Sequence, residues 1–98
     1  MSVHTDNSSE IEGVSDLTIY PNPIIDEFYV QFELSNQIDV AIQIINTSGQ
    51  VITSTDFGNR IQGFNQLKIN NLTDLPKGIY FVKINIGDQS ILKKIIKK

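Results

Sequence analysis

An antiparallel all-β sandwich of immunoglobulin-like type is the fold class this sequence predicts, and three observations predict it. Short runs rich in isoleucine, valine, threonine and aromatics recur along the 98 residues; such side chains are stiff at χ1 and suit a pleated surface. Gly, Pro and Asn clusters separate the runs at regular intervals, the rhythm of short strands joined by turns. No stretch offers a convincing crossover helix, which excludes parallel α/β folds.

The elements follow in order. Residues 1–15 are polar and acidic, with only Val3, Ile11 and Val14 to bury. That stretch cannot offset its ordering entropy and reads as a leader or linker, which places the domain at 16–98. Leu17–Tyr20 is a first short strand, stopped by Pro21-Asn22-Pro23, where two prolines remove two ladder donors. Phe28, Val30, Phe32 and Leu34 alternate with Tyr29, Gln31 and Glu33, the period of a half-buried strand. Val40–Ile45 is the next strand, Asn46–Gly49 its hairpin loop with Gly49 at a left-handed or bulge position, and Gln50–Thr55 the return. A longer link through Gly58, Asn59 and Gly63 leads to a strand over Phe64–Asn70. After a connection over 71–77, Gly78 opens a strand to Ile86 with Tyr80, Val82, Ile84 and Ile86 inward. Gly87-Asp88 suits a two-residue hairpin turn. Ile91, Leu92, Ile95 and Ile96 would also satisfy a helical period. The tight turn before them favours a final strand over Ser90–Lys98, making seven strands in all.

Composition narrows the function. There is no cysteine, so neither disulfides nor thiolate metal sites are available. The one histidine, His4, lies in the leader. A Ser–His–Asp triad or a His–Cys metal centre inside the domain is therefore excluded, and the domain reads as non-catalytic, with no cofactor. Asp26 and Glu27 are adjacent at a strand start and would point to opposite faces rather than converge. No apolar run is long enough to span a membrane, and the N-terminus lacks a signal-peptide layout.

Charge is unevenly placed. All eight Lys and Arg residues lie from Arg60 onward, while nine of the eleven acids precede it. The chain closes on Lys93-Lys94-Ile95-Ile96-Lys97-Lys98, a basic, interacting end. No aromatics interleave there to stack bases, and the net charge is −3, so nucleic acid is not the expected partner. Lysines on a terminal strand also discourage edge-to-edge pairing. The isolated domain is accordingly expected to be a monomer or a weak edge-strand dimer.

Four segments together carry a resemblance: Leu17-Thr18-Ile19-Tyr20-Pro21-Asn22-Pro23, Gly49-Gln50-Val51, Leu75 with Gly78-Ile79-Tyr80, and the lysine-rich end. In this order the chain, over about residues 16–98, resembles the type A C-terminal sorting domain of the type IX (Por) secretion system of Bacteroidota. The resemblance implies an immunoglobulin-like sandwich that is not an enzyme. It further implies a covalent N-terminal cargo, absent from this chain, that crosses the inner membrane on a Sec signal. In the periplasm the domain is recognised by the outer-membrane translocon. A cysteine-protease-like sortase at the surface then commonly removes it, cutting just upstream of the sandwich, here in 1–15. The cargo is released or joined to anionic lipopolysaccharide.

By the same resemblance Tyr20, Pro21, Asn22 and Pro23 occupy the opening motif, Gly78 and Tyr80 the Gly-x-Tyr motif, and Lys93, Lys94, Lys97 and Lys98 the basic end. Gly78 and Tyr80 are expected to fix the sandwich, the tyrosine by bonding back to the preceding corner. The four lysines are expected to meet an acidic groove on the translocon, by their charges or by strand addition at a free strand end. On this reading, removal of the last six residues blocks export and leaves the sandwich folded. The alternative is an accessory fibronectin-III-like or carbohydrate-binding module of a secreted enzyme. A glycan binder needs coplanar exposed aromatics. Of Tyr29, Phe57, Phe64 and Phe81, the strand pattern puts only Tyr29 and Phe81 outward.

Overall fold

The computed structural model describes residues 12–98, which fold into seven strands in two antiparallel sheets with no helix among them. The strands are β1 (Val14–Tyr20), β2 (Phe28–Leu34), β3 (Ile38–Asn46), β4 (Val51–Arg60), β5 (Gly63–Ile69), β6 (Gly78–Ile86) and β7 (Gln89–Lys97). One sheet has the order β1-β2-β5 and the other β4-β3-β6-β7. The all-β sandwich expected from the sequence is the fold observed.

The period-two segments supply its core. Phe28, Val30, Phe32 and Leu34 from β2 meet Val40, Ile42 and Ile44 from β3 and Tyr80, Val82, Ile84 and Ile86 from β6. Alternate side chains of a strand point to one face, so β2 and the β3–β6 pair present two apolar surfaces that close on each other. β7 completes the second sheet as a strand, with Ile91 and Ile95 buried. Its pairing with β6 runs without a break from Ile86 opposite Gln89 to Gly78 opposite Lys97. The Gly87-Asp88 turn sets that register, as expected.

Two edge strands run longer than the composition indicated. β1 begins at Val14, with Val14 opposite Leu34, and so takes in the last two residues of the stretch read as leader. A register shift between Ser15 and Thr18, where Asp16 takes φ +58°, lets the acidic stretch join the sheet. β4 continues through Gly58 and Asn59 to Arg60 rather than ending at Thr55. Phe57 is an extra residue between the Ala41–Asp56 and Val40–Gly58 pairs, and Gly58 at φ +69° accommodates that bulge. The link expected over 58–63 therefore shrinks to Ile61-Gln62. His4 and the first eleven residues of the expected leader lie outside the described residues.

Strand directions sort the connections between two ends. At one end are the Tyr20–Phe28 turn, the Asn46–Val51 hairpin, the 70–77 connection and the end of β7. The other end holds 35–37, 61–62 and the Gly87-Asp88 turn.

Candidate functional site

The segments from which the sequence was read as an export signal are far apart in the chain and meet at the first of these ends. In β3, Asn46 lies opposite Tyr80, which lies opposite Ile95, and Gly78 lies opposite Lys97. The opening motif reaches the same place from the other sheet. Both of its X-Pro bonds, Tyr20-Pro21 and Asn22-Pro23, are cis. Beyond them Ile24 turns inward and is fully buried, while its neighbour Ile25 is 64% exposed.

Ile24 and Asn22 clasp the end of β7. The Ile24 amide donates to the Ile96 carbonyl at 2.8 Å, and the Lys98 amide donates to the Ile24 carbonyl at 2.9 Å, a short parallel bridge. The Ile96 amide donates to Asn22 Oδ1 at 3.0 Å. Both main-chain groups of Ile96 thus face away from β6 and are already bonded. By the alternation of a strand, those of Leu92 and Lys94 face the same way, beside no strand of this sheet. The expectation of a free strand end is corrected here: a partner strand could add over Ser90–Lys94, but at Ile96–Lys98 it would have to displace Asn22 and Ile24.

The other motif residues shape this end. Tyr80 is buried, and its hydroxyl donates to the Pro76 carbonyl at 2.6 Å, tying the corner that Leu75, half-buried against the core, begins. Gly78 opens β6 at φ +144°, a backbone angle that side chains with a Cβ rarely adopt. In the β3–β4 hairpin, Asn46 Oδ1 accepts from the Ser48 amide, the Ser48 hydroxyl and the Gln50 amide. Gly49, at φ +90°, completes that turn with its amide on the Asn46 carbonyl. Tyr20 lies on the outer face of the three-stranded sheet. It stacks on Tyr29 with centroids 5.5 Å apart, donates to Gln31 and accepts from Gln66. Pro21, Asn22 and Pro23 are exposed.

The four lysines are not one patch. Consecutive strand residues point to opposite faces, so Lys93 and Lys97 share the inward face with Ile91 and Ile95, while Lys94 and Lys98 point outward with Leu92 and Ile96. Lys97 is only 6% exposed; its stem runs along the sandwich and its ammonium reaches the Lys98 carbonyl at 3.2 Å. Lys94 and Lys98 are exposed and Lys93 is intermediate. The same geometry argues against the expectation that the sandwich stays folded without the last six residues, because they carry Ile95, 1% exposed, and both partners of Ile24.

Asp26 and Glu27 do not converge. Glu27 pairs with Lys68 at 3.6 Å, both side chains partly exposed, while Asp26 lends its main-chain carbonyl to the Leu72 amide. The aromatics do not form a platform either. Tyr29 and Phe81 lie on opposite outer faces, Phe57 packs against the core, and Phe64, expected inward, is 57% exposed at the far end of β5.

The role of Ile24 was missed from the sequence. The one local signal was an apolar pair, Ile24-Ile25, directly after a turn of prolines.

A family model described as the secretion system C-terminal sorting domain matches residues 18–98, from within β1 to the last lysine. No curated protein matches the chain. The match takes in every motif gathered at this end and almost the whole sandwich beneath them. The chain belongs to the C-terminal sorting domain family of the type IX secretion system, a secretion signal that engages that machinery and marks an exported protein for the outer-membrane surface or the extracellular space.

Proposed function

We propose that this domain is non-catalytic, that it carries an N-terminally attached cargo from the periplasm to the outer-membrane translocon, and that the motif-bearing end is the part the translocon recognises. Lys94 and Lys98 supply exposed positive charge for an acidic surface, Lys93 contributes at the margin, and Lys97 mainly anchors the strand. Tyr20, Pro21, Asn22, Pro23, Gly49, Leu75, Gly78 and Tyr80 hold that end in shape. A surface sortase cuts in the leader ahead of β1, after which the cargo is released or joined to anionic lipopolysaccharide.

The observation that supports this reading is the convergence of sequence-distant motifs on one end, with Asn22 bonded to Ile96 across 74 positions. A fluorescent reporter carrying a Sec signal and residues 1–98 tests it in a bacterium with this system. Reporter at the surface or in the medium only when the translocon is present is the expected result. Reporter retained in the periplasm of both strains, with the domain folded, would refute the reading and turn attention to glycan binding.

A further inference from the structure

At the motif-bearing end, the outer face of the four-stranded sheet is apolar where a solvated sheet face is normally polar. Ile79 lies opposite Ile96, and the next row sets Val51, Ile45, Phe81 and Lys94 side by side across all four strands. Residues paired across strands share a face, as do residues two apart in one strand. Ile79, Phe81, Ile96 and Val51 therefore form one patch, and Leu92 extends it. Val51, Ile79, Leu92 and Ile96 are four of the eight large hydrophobics exposed among the described residues, at 50%, 47%, 55% and 43%. Isolated exposed apolar residues need no explanation, but a contiguous apolar patch with a charged rim marks a protein-binding surface.

The rim has one sign near the patch. Lys94 on β7 and Lys98 just past its end flank it, with Lys83 on β6. Asp56, beside Ala41 on the same face, lies two rows farther toward the opposite end. Among the described residues none of the three lysines is in an ion pair. A second copy of the domain, set patch to patch, would place both sets of these lysines in one interface and concentrate like charge there. The complementary partner is a protein surface with an apolar centre and carboxylates at its edge.

We propose that this face, centred on Ile79, Phe81 and Ile96 with Lys94 and Lys98 at its margin, is where such an acidic-rimmed apolar surface of the secretion machinery docks. The proposal rests on the sorting function above and adds a contact surface to it. Recognition then runs across the flat of the sheet at the motif-bearing end, and the edge of β7 need not accept a new strand.

The reporter export assay tests it with two variants and a control, each checked for folding by circular dichroism and thermal melting. Ile79→Thr with Ile96→Thr keeps β-branched side chains and removes the apolar centre. Lys94→Glu reverses a rim charge on an exposed side chain and decides the matter if the double variant fails to fold. Phe64→Thr removes an equally exposed hydrophobic from the other sheet. Truncating central contacts of an interface commonly weakens binding about tenfold or more. The expected result is at least about tenfold less exported reporter for both face variants, with Phe64→Thr unchanged. Full export of folded face variants overturns the docking face and leaves the sorting function standing. Failure of the unmodified domain to be exported overturns both. Sedimentation of the unmodified domain as a dimer that Ile79→Thr with Ile96→Thr dissolves would assign the face to a second copy and overturn the proposal.

Discussion

Ile24 and Ile25 make a controlled experiment out of adjacent residues of one type. Ile24 is fully buried in the core cluster and its main chain bridges to β7, whereas Ile25 is 64% exposed. Replacing Ile24 by alanine deletes three carbons from a filled interior, which costs about 2–5 kcal/mol. A domain of this size has about 5–15 kcal/mol of total stability, so the loss is a large fraction. For 60–100 residues each kcal/mol moves the midpoint by about 4–8 °C, and a mid-range loss of about 3 kcal/mol lowers Tm by about 12–24 °C. Ile25→Ala should stay within about 0.5 kcal/mol, as exposed positions do. Urea unfolding followed by circular dichroism gives both values, and hydrogen exchange reports whether the Ile96 and Lys98 amides lose protection first. A loss below about 1 kcal/mol for Ile24→Ala, or equal losses for the two variants, would refute the idea that the turn after Pro23 is a structural clasp.

Two further outcomes follow from the same end of the molecule. Tyr80→Phe leaves the Pro76 carbonyl without its hydroxyl donor, which should cost about 1–2 kcal/mol in urea unfolding; an unchanged midpoint would mean that the corner holds without the bond. Deletion of residues 93–98 should abolish the cooperative unfolding transition, because it strips Ile95 from the core and exposes the edge of β6; a truncated domain that still melts cooperatively near the parent temperature would contradict the role given to β7.

Strands whose burial alternates strictly were legible in the sequence. β6 was read with its correct limits and inward residues, and β2 with its correct face, because one side is fully buried and a slip by one residue would turn four apolar side chains outward. β4 was cut short because Gly58 and Asn59 carry the signature of a loop, and the bulge that absorbs them depends on a partner strand that sequence alone does not supply. β1 was cut short for a related reason: Asp16 sits within a register shift that hides the two-residue rhythm. The clasp was illegible because its hydrogen bonds join residues more than seventy positions apart. The division of the lysines was legible, since Lys93-Lys94 and Lys97-Lys98 are consecutive on a strand, yet a reading by composition treats them as one cluster.

The grip of Asn22 and Ile24 on the last three residues means that the basic end has a fixed shape only when the first turn of the sandwich has found the last strand. An unfolded copy carries the same four lysines at no particular spacing and on no particular side. A receptor matched to Lys94 and Lys98 beside Ile79 and Ile96 would thus refuse a domain that has not finished folding, a form of quality inspection that needs no separate inspector.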